Sequence, residues 1–188
     1  SAADFGAPDP TNALKLEFLG RHTAEIIEGG AEIVDYDPAT KRLFVVNSNQ
    51  VAIDVIEIAD PANPAKAASI DLKKFGGVAN SVAVHDGIVA VAVEGFDKQD
   101  NGNVELFRTD GDFDRPLATV QVGSLPDMLT FTPDGQYILV ACEGEPDAQY
   151  ATDPEGSVWI INMAYGPEKA TARIAGFGSF NLLEDELK

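Results

Sequence analysis

One pattern of roughly 45–50 residues, written three times, constrains this chain more than any other feature. Its clearest copy runs from Asp127 to Glu143, Asp-Met-Leu-Thr-Phe-Thr-Pro-Asp-Gly-Gln-Tyr-Ile-Leu-Val-Ala-Cys-Glu. Leu129 and Phe131 alternate with neighbours of the other face, as in a half-exposed strand. Pro133-Asp134-Gly135 supplies a turn. Tyr137 to Cys142 is a short apolar run, of the kind expected in a strand buried on both faces. One hairpin is marginal alone in water, so the other copies matter. The first is Glu32 to Asp37, a Pro38–Lys41 turn, then Leu43 to Asn47. The second is Asn80 to His85, an Asp86-Gly87 turn, then Ile88 to Glu94. Asp-Gly is a strong two-residue hairpin signal, because both central residues of that turn need positive φ.

Each copy continues alike. Glycine precedes the start at Gly29-Gly30, Gly76-Gly77 and Gly123. A polar loop leads to a third strand at Val51–Ile58, Asn103–Phe107 and Ser157–Ile161. A fourth is expected at Lys66–Leu72, Leu117–Val122 and Ala170–Ile174. Four antiparallel strands per period predict an all-β fold of three β-propeller blades, at about 29–75, 76–123 and 124–178. The physical reason is that one four-stranded sheet cannot cover both of its faces, whereas radial stacking covers them. Three blades do not close a ring of 4–8. Further blades, from the same protein or another chain, are therefore the expected partners.

The flanks differ from the repeats. Residues 1–13 are small, polar and Pro-containing, and are expected to be flexible. Residues 14–24 read as a strand, with Leu14, Leu16 and Phe18 on one face and Lys15 and Glu17 on the other. Such a first strand is expected to join the last blade and fasten the ring. Residues 179–188 read as a short helix, from the cap-like pair Asn181 and Glu184 and the four-residue spacing of Leu183 and Leu187.

Charge and composition narrow the function. The formal net charge is -18, from 31 acidic and 13 basic side chains. Such a surface repels nucleic-acid phosphates and anionic lipid, and favours cations and a salty extracellular setting. No apolar run approaches the ~20 residues of a membrane span. The single cysteine, Cys142, admits no internal disulfide and is expected to be a small buried hydrophobe. His22 and His85 lie far apart in a blade arrangement and form no triad or zinc cluster. Trp159 reads as core between blades.

The repeat also places candidate site residues. Glu32, Asn80 and Asp127 begin the first strands; Asn47, Glu94 and Glu143 end the second strands. In an antiparallel hairpin those ends lie together, so the six are expected on one rim near the central channel. Four are carboxylates, and Glu145 adds another. Glu32, Asp127, Glu94, Glu143 and Glu145 are thus candidate metal ligands, with Asn47 and Asn80 on the ligand rim. Converging oxygens suit Ca²⁺, and two close metals polarise a phosphoester. The same side chains are expected, ahead of metal binding, to serve as partners for loop amides at blade junctions. The loop Asp97–Gly102 and the insertion holding Asp147, Asp153 and Glu155 open on the same face. No catalytic residue and no organic cofactor is assigned.

Several segments together resemble the choice-of-anchor I family, secreted bacterial β-propeller proteins of which some are described as alkaline-phosphatase-like. They are Glu32-Ile-Val-Asp-Tyr-Asp-Pro-Ala-Thr, Arg42-Leu-Phe-Val-Val-Asn, Asp60-Pro-Ala-Asn-Pro, Asn80-Ser-Val-Ala-Val, Leu125-Pro-Asp-Met-Leu-Thr-Phe-Thr-Pro-Asp-Gly, Glu143-Gly-Glu-Pro and Asp153-Pro-Glu-Gly-Ser-Val. The resemblance implies a longer parent chain, a seven-bladed ring, and export to the periplasm, cell surface or medium. The expected role is a ligand- or partner-binding scaffold stabilised by calcium. The alternative is part of a metal-dependent phosphoester hydrolase.

Overall fold

A computed structural model describes residues 14–24 and 28–183. Twelve strands form three four-stranded sheets among these residues, each pairing in chain order. Blade one holds β1 (Val34–Asp37), β2 (Arg42–Asn47), β3 (Ala52–Glu57) and β4 (Ala65–Asp71). Blade two holds β5 (Ala79–His85), β6 (Ile88–Val93), β7 (Asn101–Arg108) and β8 (Ala118–Ser124). Blade three holds β9 (Pro126–Phe131), β10 (Tyr137–Cys142), β11 (Ser157–Asn162) and β12 (Thr171–Gly176). Every pairing is antiparallel. The expected all-β fold, with its three four-stranded units, is the one observed.

The turns obey their local chemistry. Asp86 and Gly87 both have positive φ, 46° and 78°, as the tight hairpin requires. The Asp37 carboxylate accepts from the Thr40 hydroxyl at 2.7 Å and from the Ala39 and Thr40 backbone amides, which fixes the β1–β2 turn. Asp134 does the same for β9–β10, accepting from the Thr132 hydroxyl and the Gln136 amide. Gly135 has φ 67°, and a Cβ there would lie 2.6 Å from the His85 ring. His85 is therefore a spacer between blades two and three, stacked near Phe131 with ring centroids 5.6 Å apart.

Two cores lie between successive sheets. Phe44, Val46, Ile53, Val55 and Ile70 of blade one meet Val82, Val89, Val91 and Phe107 of blade two. Ala90, Ala92, Val104 and Leu106 on the other face of blade two meet Leu129, Ile138, Val140 and Ile161 of blade three. The first strands lie side by side, β1 against β5 and β5 against β9. Polar ties join them: the Val84 amide donates to Asp35 at 2.6 Å, and the Leu129 amide donates to the Ser81 hydroxyl at 3.2 Å.

Three expectations change. The run Tyr137–Cys142 is not covered on both faces: Ile138, Val140 and Cys142 are buried, while Tyr137, Leu139 and Ala141 are exposed. Among the described residues no sheet covers the outer face of blade three. Residues 14–24 pair with no strand; Leu14, Leu16 and Phe18 are exposed. The last blade they were expected to join is not among the three present. The tail forms a 3-10 helix over Gly178–Leu183, and Glu184 and Leu187 of the expected helix lie outside the described residues, as do residues 1–13. Cys142 is buried as expected, and burial pushes its thiol up to about 11.

Candidate functional site

Pairing registers decide which repeat positions are equivalent. The last pairs between second and third strands are Asn47 with Ala52, Val93 with Asn103, and Cys142 with Ser157. Asn47 is thus the counterpart of Val93 and Cys142, one residue short of Glu94 and Glu143. In a strand a one-residue offset turns a side chain to the other face. Asn47 accordingly lies on the sheet face of Asp54, to which its amide donates at 3.2 Å, while its oxygen caps the Gln50 amide of a 3-10 turn at 48–50.

The first-strand positions behave differently. Ala79 pairs with Val93 and Ser81 with Ala92, which leaves Asn80 as an extra residue. Met128 pairs with Ala141 and Pro126 with Cys142, which leaves Asp127 as an extra residue. Both are β-bulge positions, and bulges re-aim side chains at sheet ends and sites. Asn80 uses its position to join two blades: its amide donates to Glu94 at 3.1 Å and to the Pro126 carbonyl at 3.2 Å. Asp127, next to that carbonyl, is exposed.

A cation sits among the remaining carboxylates. Lys98, in the β6–β7 loop of blade two, reaches over to blade three and pairs with Glu145. Gln99 donates to the Glu145 carbonyl at 3.3 Å, and the Ser124 hydroxyl donates to the Lys98 carbonyl at 2.9 Å. The Glu145 hydrogen bond chiefly, with the charges of Glu145, Glu94 and Glu143, holds the Lys98 ammonium above the usual lysine range. The rim shared by blades two and three therefore holds a Lys98–Glu145 pair and an Asn80–Glu94 bond, with the charges of Glu94 and Glu143 acting on the lysine. Asp147 folds the neighbouring loop on itself, accepting from the Gln149, Ala151 and Thr152 amides.

Blade one keeps its own set. Asp54, buried on β3, receives Asn47, the Ser69 hydroxyl at 3.0 Å and the Lys66 ammonium at 2.6 Å. Burial pushes the Asp54 carboxyl up, but Lys66, Asn47 and Ser69 together pull it below its ordinary value. Glu32 is exposed, and its amide donates to the Val46 carbonyl. Residues 17–20 lie over the outer face of this blade. With Val34, Leu43, Val45 and Ile56 they line a largely apolar cavity of about 560 Å³, with Asp54 in its wall.

Among the described residues, no group of three or more His, Cys, Asp and Glu side chains is arranged to hold a metal ion. Glu145 is answered by a protein cation, Lys98, and Glu94 by the Asn80 amide. Sequence reasoning missed Lys98 because its contact spans 47 positions, from one blade's loop to the next. It also missed Asp54. A single carboxylate inside the apolar run Val51-Ala-Ile-Asp-Val-Ile was the available signal.

Three meandering sheets whose first strands line up side by side define consecutive blades of a β-propeller. Within that class, the sequence profile of the choice-of-anchor I domain matches residues 32–188, and the chain belongs to that family. Among solved structures, Kuenenia stuttgartiensis hydrazine synthase superimposes with a TM-score of 0.53 at 18% identity, over 76% of this chain and 40% of that one. A eukaryotic initiation factor gives 0.47 at 15% identity, over 77% of this chain and 32% of that one. The chain thus spans less than half the length of either. The hydrazine synthase likeness speaks to fold alone. Comparison with curated protein sequences gave no match.

Proposed function

We propose that the chain is part of a larger, seven-bladed propeller, exported to the periplasm or cell surface, that acts as a binding scaffold. The observation that carries this reading is the rim between blades two and three. There Glu145 pairs with Lys98 across two loops, and Glu94 and Glu143, one from each loop, add their charge to it. An acidic rim served by loops favours cationic groups on a ligand or partner. The net charge of -18 gives the same preference at long range.

Calcium enters the proposal as a stabiliser of this rim. Glu143, Glu145 and Glu94, with Asp127 and with Glu32 on blade one, are its candidate oxygen donors and Asn80 is a rim contact; Asn47, held by Asp54, is not. Ca²⁺ takes six to eight oxygens, so the carboxylates would have to close on it in place of Lys98. The test is calorimetric titration of calcium into chelator-treated protein. Saturable binding is expected in the native protein and its loss in Glu143→Gln/Glu145→Gln. Absence of binding heat in the native protein, together with a thermal midpoint unmoved by chelator, sinks the calcium reading.

The same convergence of carboxylates is what favours the second reading, a metal-dependent phosphoester hydrolase. It expects stoichiometric metal and hydrolysis of a generic phosphomonoester, lost in Glu143→Ala. An inactive, metal-free protein excludes it.

A further inference from the structure

Glu105 occupies a position no rim reading uses. It lies on β7, opposite Val91 on β6 and Thr119 on β8. Asp54 is its counterpart in blade one: it faces Val45 on β2, and a hydroxyl, Ser69, on β4. The two acids differ in what surrounds them. Asp54 has Lys66 at 2.6 Å. Glu105 is fully buried; the Thr119 hydroxyl meets Oε2 at 2.6 Å, and Oε1 has no hydrogen-bond partner.

The surroundings of Glu105 are apolar or neutral on almost every side. On its own sheet it shares a face with Phe107 and Asn103, and with Val89, Val91 and Val93 of β6. Phe44, Val46, Ile53, Val55 and Ile70 of blade one pack against that face. The charged group acting on it is Lys74, in the connector between the blades. Lys74 is itself bound to the Asp114 carbonyl at 3.1 Å and lies over the Phe75 ring. Asn103 donates to the Phe75 carbonyl of the same connector.

We propose that Glu105 is a pH-sensitive joint between blades one and two, closed while its carboxyl is neutral and loosened when it ionises. The neutral acid, protonated at Oε2, donates to the Thr119 hydroxyl and leaves only its carbonyl oxygen Oε1 unpartnered, which a protein interior tolerates better than a charge. The anion leaves a charge in an apolar seam with one hydrogen bond, and buried charge without a close partner is strongly unfavourable. Opening of the seam, or entry of water beside the connector, relieves it. Burial pushes the Glu105 carboxyl up to about 7, against the pull of Thr119 and Lys74. The raised value fixes the sign. Between about 4.5 and about 7 the folded chain holds a proton that the unfolded chain has released. The joint is therefore tightest at and below about pH 4.5, weakens as pH rises through that window, and changes little above about 7.

The experiment is a carboxyl ¹³C titration of the full chain labelled at glutamate, with Glu105→Gln assigning the resonance. Its companion is pH-corrected amide exchange at Ile53, Val55, Val89 and Val91. A midpoint near 7 is expected, with exchange at these amides rising several-fold from pH 5 to pH 8. Glu105→Gln is expected to abolish the rise, and Thr119→Val, which withdraws the one bond to the carboxylate, to move the midpoint upward. Should Glu105→Gln fail to fold, Thr119→Val and the native titration still decide. A native midpoint near 4.5, or equal exchange at pH 5 and pH 8, overturns the proposal.

Discussion

Strands β6 and β10 are written in almost the same alphabet, Ile-Val-Ala-Val-Ala-Val and Tyr-Ile-Leu-Val-Ala-Cys, yet they live in different surroundings. In β6 every residue from Val89 to Val93 is buried, because blade one covers one face and blade three the other. In β10 only alternate residues are buried. The residues do not differ enough to cause this; position in the stack does. A blade's stability is therefore shared with its neighbours. The middle blade is the best-supported unit of the three, and the outer blades each present a half-finished surface. On blade one that surface carries the cavity under residues 17–20. On blade three it carries Met128, Tyr137 and Leu139, all exposed.

The largest test of this contrast uses equivalent third-strand residues. Leu106 of blade two, opposite Ala90, corresponds to Ile160 of blade three, opposite Leu139. Leu106 is fully buried, and Leu106→Ala should cost about 3 kcal/mol in urea unfolding, as for a core cavity. Ile160 is half-buried, and Ile160→Ala should cost about 1 kcal/mol. Equal losses would mean that blade three's outer face is covered in solution.

The next test compares the two acids. Asp54→Asn should destabilise blade one by about 1–2 kcal/mol at pH 6, since it removes a partner from Lys66 and Ser69. Asp54 lies below its ordinary value of 3.8, so its contribution is present above that pH and is lost as pH falls through the lower, folded value. The cost of Asp54→Asn should therefore shrink by pH 3. Glu105 works in the opposite sense and at higher pH. Acid below about pH 4 weakens the tie at Asp54, while the rise from about pH 4.5 to about 7 weakens the joint at Glu105. Parallel pH profiles for the two blades would break the comparison.

The smallest effect is expected at the rim. Lys98 and Glu145 are each about half exposed, 47% and 50%. Lys98→Met should cost no more than about 1 kcal/mol, with a thermal midpoint shift of a few degrees at most. A larger loss would show that the bridge between blades two and three is structural rather than a site waiting for a ligand.

Much of the fold was legible because turns and periods are local. Asp86-Gly87 and Pro133-Asp134-Gly135 act within a few residues, and the repeat of glycine, hairpin and third strand survives without any knowledge of contacts. Exposure of β10 was illegible for the reason given above, since a sheet face is buried by residues far away in the chain. The site was legible by half. Asn80 and Asp127, aligned by the repeat, share a bulge position in blades two and three, whereas Asn47 was placed one residue out. The 3-10 turn over 48–50 and the left-handed Val51, φ 52°, shift blade one against the others, and nothing in a hydrophobic pattern announces such a shift. Glu105 gave a faint signal, being an acid that shares a strand face with Phe107.

The meander of each sheet has one more consequence. A strand's hydrogen-bonding partners are its neighbours in the chain, so a blade completes its ladder within a single period. Low contact order of this kind speeds folding. It also lets the array grow vectorially, one sheet at a time, as a polypeptide emerges from a ribosome or a translocation channel. At each stage the newest sheet has a finished backbone and one bare face, ready for the next period to arrive.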